Sequence, residues 1–279
     1  MIRRPALSLL VAVLVAACTG DAYGTAAPTP TASRAGTPTA TPKALTVFAA
    51  ASLKGALDAA TTAYATTHPG VTITVSTDSS SALETQIEQG APADVFLSAD
   101  TTNPAKLATA GLASGEPVTF AGNTLVIIIP KNSLGPVTAA FDLAKAGVKV
   151  IAAGDEVPIT KYATELVANL AAQPAAPGAF EAGYAANVVS KEDNVMAVVA
   201  KIELGEGDAA IVYVTDAAAS GKVDTVPITP ANANVPATYA GVVVKASANQ
   251  AAAAEFLAWL AGPDGQVILG TFGFLPPPA

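Results

Sequence analysis

Thr46-Val47-Phe48-Ala49-Ala50-Ala51-Ser52-Leu53 is where the chain changes period. Residues 45–49 form a short run of strand formers, and from Leu53 onward the residues Leu53, Leu57, Ala60 and Tyr64 recur at helical spacing. Ser52 stands at the junction. Serine is a favoured N-cap, because its hydroxyl accepts a bond from one of the free N–H groups of the first turn. The predicted helix must stop at Thr67-His68-Pro69-Gly70. His68, the only histidine, reads as a helix-end residue, where its charge suits the helix dipole.

Outward from this junction the same alternation continues. Further strands are predicted over 71–76, 94–98, 124–129, 148–152, 210–214, 225–228 and 240–245. Between them lie helical patterns, such as Val195, Val198, Val199 and Ile202 behind Asp193-Asn194, and Phe256, Leu257 and Leu260 beside Trp259. Strands alternating with helices predict an α/β fold, with a parallel or mixed sheet covered on both faces. No repeat recurs at a fixed period.

The N-terminal part follows other rules. Arg3 and Arg4 precede an apolar stretch over 7–17, which is shorter than the ~20 residues of a spanning helix. Residues 1–17 are therefore predicted to be a cleaved signal. The stretch closes in Val15-Ala16-Ala17-Cys18, and Cys18 is the sole cysteine. This resembles a bacterial lipobox, which predicts a diacylglycerol on the Cys18 thiol and attachment to the outer face of the cell membrane. A single cysteine also rules out an internal disulfide. Residues 19–43 lack Leu, Ile, Val and Phe and are rich in Pro and Thr, so they are expected to form a disordered tether reaching roughly 25–30 Å.

Composition and motifs exclude several functions. The formal net charge is −8, and no basic cluster is present, which argues against nucleic-acid binding. There is no Gly-x-Ser-x-Gly elbow and no Walker A loop, and one histidine in a turn is a poor basis for a catalytic triad, so no enzyme activity is expected. Gly205-Glu206-Gly207-Asp208-Ala209-Ala210 matches a dinucleotide fingerprint only formally. That motif must follow a strand and open a helix; here the predicted order is reversed, and the segment reads as a helix end and turn.

Several blocks together resemble periplasmic molybdate-binding proteins, the solute-binding components of ABC importers. They are the opening Thr46–Leu53 stretch, Ser79-Ser80-Ser81, the run from Gln86 to Asp100 containing Gly90-Ala91-Pro92-Ala93-Asp94-Val95-Phe96, Gly122-Asn123-Thr124-Leu125, Glu192-Asp193-Asn194-Val195, and Ala210-Ile211-Val212-Tyr213. The resemblance covers 44–275 in order. It implies the two-lobed class II periplasmic binding protein fold, an α/β architecture with the ligand cleft between lobes. One lobe would combine 44–123 with 240–279 and the other would be 124–239, with crossings near 122–125 and 239–242.

On residue type alone, Ser52 and Ser80 read as N-caps, Val195 as a core residue and Tyr213 as strand packing. The resemblance implies instead that Ser52, Ser80, Ile159, Val195 and Tyr213 contact an oxyanion, with molybdenum held only as molybdate through these residues. Helix N-termini and neutral donors can hold a dianion without Lys or Arg, which reconciles the acidic chain with an anionic ligand. Such a donor-only site suits molybdate, tungstate or sulfate, whereas phosphate carries a proton in want of an acceptor. Asp78 or Glu192, if it faces the cleft, would readmit phosphate. The expected function is capture of molybdate, and of tungstate, for an ABC transporter permease. Sulfate or another small oxyanion is the alternative. The protein is expected to be a monomer without a cofactor.

Overall fold

The computed structural model describes residues 43–278, so the expected signal, Cys18 and all but the last residue of the tether lie outside the described residues. The opening stretch folds as its change of period predicts. Strand β1 (Lys43–Ala50) runs through a 3₁₀ turn (Ala51–Leu53) into helix α1 (Lys54–Thr67). Leu53, Leu57, Ala60 and Tyr64 are all fully buried. Burying each large apolar side chain of this kind is worth about 1.5–3 kcal/mol. His68 caps the helix and stacks on Tyr64 with ring centroids 3.8 Å apart. Gly70 then turns the chain at φ 100°, a value open to glycine at little cost.

Strand β2 (Val71–Asp78) returns parallel to β1, and after α2 (Ser80–Glu88) strand β3 (Val95–Ser98) pairs parallel on the other side of β1. The turns that follow β1 and β2 therefore lie side by side at one edge of the sheet, where open α/β sheets bind ligands. Helix α3 (Thr102–Thr109) and strand β4 (Ala113–Asn123) follow, and strand β10 (Ala237–Val244) inserts antiparallel between β3 and β4. The first sheet thus has the order β2-β1-β3-β10-β4.

The second sheet is built from β5 (Leu125–Pro130), β6 (Val150–Ala153), β7 (Val188–Glu192), β8 (Ala209–Tyr213) and β9 (Val223–Val226) in the order β7-β6-β8-β5-β9. Its helices are α4 (Pro158–Ala171), α5 (Phe180–Asn187), α6 (Val195–Glu203) and α7 (Val214–Ala219). Helices α8 (Gln250–Ala261) and α9 (Pro263–Thr271) follow β10. Both sheets repeat one plan: three parallel strands, then an antiparallel strand, then an edge. Between α6 and β8, Gly205 turns at φ 73°, so the formal dinucleotide motif is a helix end followed by a strand.

The structure corrects several expectations. Strands β4 and β7 were not predicted. Both are sheet edges, and β4 carries Gly115 and Pro117, residues that weaken a strand pattern yet are tolerated at an edge. Strand β9 begins two residues before the predicted 225–228. The first crossing between sheets falls at Thr124, within the expected 122–125. The second does not fall at 239–242, because those residues are mid-strand in β10; the chain crosses between Val226 and Ala237. Asn234 in that segment grips the first crossing, accepting from Leu125 N at 3.2 Å and donating to Leu125 O at 2.9 Å. Next to it, Gly122 exchanges backbone bonds with Leu275, and a Cβ there would lie 2.9 Å from the Pro276 carbonyl oxygen. Among the described residues no helix is long and apolar enough to cross a membrane.

Candidate functional site

Ser52, Ser80, Ile159, Val195 and Tyr213 all line one small cavity between the two sheets. The centre of a water-sized sphere can visit only about 10 Å³ of it. That is about the room one water needs, so the cavity is sized for a compact ion and not for a sugar, amino acid or peptide. None of its lining residues is Lys, Arg or His. A larger cavity of about 220 Å³ shares Ile159 and is walled by Ile151, Ala163, Val188 and Ile211 together with the polar residues Asp155, Thr160, Thr164, Tyr184 and Lys191. Its one lysine, Lys191, is paired with Asp155, whereas the smaller cavity gathers the Ser52, Ser80 and Tyr213 hydroxyls at the entries of α4 and α6.

The first lobe brings side-chain oxygens. Ser52 is not an N-cap, as its position before a helix suggested; it lies inside the 3₁₀ turn, and Leu53 precedes α1 without a side-chain cap. Its hydroxyl sits 3.0 Å from Tyr239 Oη. Ser80 is not the N-cap either. Ser79 takes that role, accepting from Ala82 N at 3.2 Å, while Ser80 occupies the first helical position. The Ser80 oxygen accepts from Ala99 N at 3.0 Å, a backbone N–H at the end of β3. With Ser79 capping α2, Ser80 Oγ is left to face β3 and the cavity.

The second lobe brings peptide groups. Pro158 opens α4 at a position where its missing N–H costs nothing. Thr160 N donates to Val157 O at 2.9 Å, which leaves Ile159 N–H with no backbone acceptor among the described residues. Asn194 caps α6 through a bond from Ala197 N at 3.1 Å, and Val195 begins the helix with its N–H likewise unpaired. Such free N–H groups carry the positive end of the helix dipole.

Tyr213 ends β8 with its hydroxyl fully buried and without a partner among the described residues. A buried hydroxyl left unpaired costs roughly 1–3 kcal/mol, so an orphan aimed into a cavity marks a place for an acceptor. Burial, with neighbouring Tyr239, pushes its pKa well above that of a free phenol, so it stays a neutral donor. Tyr213 packs between Tyr162 and Tyr239, ring centroids 6.2 and 5.6 Å away. Beneath it, Asp216 accepts from Tyr213 N at 3.2 Å, and burial lifts its carboxyl to about 7 despite that bond.

Both acidic residues considered for the cleft line its wide part, about 670 Å³, and only Asp78 also borders the small cavity. Glu192 turns to Lys201, 3.1 Å away. Asp78 Oδ1 accepts from Ser79 N at 2.8 Å and from Asn194 Nδ2, across the cleft, at 3.1 Å. Lys161 is outside the cavity and reaches Thr102 of the other lobe at 3.2 Å. Tyr239, Asn123 and Asp216 do not border the cavity but stand behind its lining residues, and they were not anticipated there. Tyr239 and Ser52 are 187 positions apart, and no local pattern links them.

This geometry has counterparts. The family model for bacterial extracellular solute-binding proteins matches residues 45–275. The molybdate-binding protein ModA of Mycobacterium tuberculosis is 35% identical over 248 residues, covering 89% of this chain and 90% of that one. A putative ABC transporter substrate-binding lipoprotein of Bacillus subtilis, YvgL, is 32% identical, covering 82% of this chain and 85% of its own length. The solved periplasmic molybdate-binding protein of Azotobacter vinelandii superposes with a TM-score of 0.69 at 27% identity, over 84% of this chain and all of the other. Two sheets of matching plan, a donor-lined cavity between them and a family match over nearly all the described residues agree: the chain belongs to the bacterial extracellular solute-binding proteins.

Proposed function

We propose that this protein captures molybdate, and tungstate with it, outside the cytoplasm and delivers it to an ABC importer. The carrying observation is the convergence of Ser52, Ser80, Ile159, Val195 and Tyr213 on a cavity with no Lys, Arg or His, where the buried Tyr213 hydroxyl has no partner among the described residues. Three hydroxyls and two helix-terminal N–H groups stabilise a fully deprotonated tetrahedral ion through hydrogen bonds and partial charges. The names of the Mycobacterium and Azotobacter relatives support molybdate as the ion. The two lobes close on it about the crossings at Thr124 and Asn234, one ion per chain, and the protein works as a monomer. A lipid on Cys18 holds it at the membrane, a reading supported by the sequence Val15-Ala16-Ala17-Cys18 and by the lipoprotein name of the Bacillus relative.

Isothermal titration tests this reading. Molybdate and tungstate are expected to bind one per chain, sulfate much more weakly and phosphate more weakly still. Absence of molybdate binding overturns the assignment. A chain beginning at Ala44 is expected to bind as the full chain does, while Cys18→Ser abolishes membrane attachment. Loss of affinity in the shortened chain would give the tether a share in the site.

A further inference from the structure

Behind Ser52 runs a chain of hydrogen-bonding groups whose direction can be read. Asn123 Oδ1 accepts from Thr124 N at 2.9 Å, which fixes the orientation of the amide. Its Nδ2 therefore faces Thr215 Oγ1 at 2.9 Å and Tyr239 Oη at 3.5 Å. An amide nitrogen only donates, so it occupies the acceptor side of the Tyr239 phenol. Ser52 Oγ, 3.0 Å away, is the one acceptor the described residues place within reach of the phenol hydrogen. Tyr239 is fully buried, and burial keeps its phenol neutral.

We infer that Tyr239 gives its phenol hydrogen to Ser52 and is thereby a specificity-determining positioning residue, one that turns the Ser52 proton toward the cavity and disfavours at that position an oxyanion that carries a proton. This rests on the oxyanion reading above. Ser80 is set in the same sense by a different group, the Ala99 N–H that fills an acceptor position on its oxygen. Both serines of the first lobe thus have an oxygen lone pair engaged by the protein and a hydrogen left for the ion. An ion bearing a hydroxyl meets donors at both serines, and Asp78 is the one carboxylate among the residues that line the cavity.

The test compares sulfate with phosphate at about pH 8, where phosphate has the same charge as sulfate and differs by one bound proton. Both are read as displacement of bound molybdate from the full chain. In the parent, phosphate is expected at least ~10-fold weaker than sulfate, the effect of one unpaired buried group. Tyr239→Phe frees Ser52 to accept, and the phosphate-to-sulfate gap should narrow about tenfold. Asn123→Asp offers the phenol an acceptor and draws its hydrogen away from Ser52, so the gap should narrow again, although the added charge weakens both ions. Should Tyr239→Phe fail to fold, the aspartate variant decides alone. Equal weakening of both ions with an unchanged gap would make Tyr239 purely structural and overturn the inference. Parity of the two ions in the parent would overturn it as well, and would point to Asp78 as an acceptor. If the parent binds neither molybdate nor sulfate, the oxyanion reading itself falls.

Discussion

The first lobe brings side-chain oxygens to the cavity, those of Ser52 and Ser80, whereas the second brings peptide N–H groups, at Ile159 and Val195, beneath apolar side chains. The two sheets share one strand plan, so the contrast does not come from topology. It comes from what opens each helix. In the first lobe a 3₁₀ turn and a serine run place hydroxyls at the helix entry. In the second, Pro158 brings no N–H and the capping Asn194 takes that of Ala197, which leaves the N–H groups of Ile159 and Val195 at the helix entries. One lobe is therefore sensitive to side-chain chemistry, and the other to the backbone.

The largest expected effect concerns stability and belongs to the second lobe alone. Burial raises the Asp216 carboxyl from 3.8 to about 7, so the folded protein holds a proton there that the unfolded chain releases. Its contribution is fully present below pH ~4 and lost as pH rises through about 7, by at most about 4 kcal/mol. Asp216→Asn keeps an acceptor for Tyr213 N and should flatten this slope. Urea midpoints at about pH 4.5 and 7.5 measure it; equal slopes in parent and variant would show that the carboxylate is already solvated.

Binding sharpens the contrast further. Val195→Pro removes the N–H at a helix position that tolerates proline, and should weaken molybdate binding on the order of 100-fold. Val195→Ala keeps the N–H and should change it by less than about threefold. Similar losses in both, read by titration calorimetry, would mean that the side chain acts and not the backbone. Tyr213→Phe should weaken binding about tenfold while raising the stability of the free protein by about 1 kcal/mol, since it deletes an unpaired buried hydroxyl. A variant less stable than the parent in thermal unfolding would show that this hydroxyl has a partner. Lys161→Ala should move affinity less than about twofold, because its ammonium meets Thr102 outside the cavity. A tenfold loss there would mean that the anion is recognised by charge.

The first lobe was the more legible of the two in the sequence, for the same reason that it differs. Ser52 and Ser80 announce themselves as hydroxyl residues between a strand and a helix, although the sequence could not say that Ser79, and not Ser80, caps α2. That choice depends on Ala99, 19 positions away. Ile159 and Val195 have no chemical signature, since every residue but proline has a peptide N–H; they were named through family resemblance. The helical stripe of Leu57, Ala60 and Tyr64 was readable because burial repeats with the helix period. Edge strands β4 and β7 were not, because half-exposed strands escape the apolar pattern. Tyr239 was read as part of a crossing and is instead mid-strand, bonded to Ser52.

A cavity without cations, on a chain of formal charge −8, has a consequence for the speed of capture. At distances beyond a few ångströms an approaching dianion meets net repulsion, and attraction begins only where the N–H and O–H groups come within contact range. Dissolved salt screens the repulsion over roughly 10 Å at 0.1 M but hardly touches the short-range bonds. The association rate should therefore rise with ionic strength while the dissociation rate stays nearly flat, opposite to a site that draws in anions with lysine or arginine. Such a protein gathers its ion more readily in brine than in fresh water.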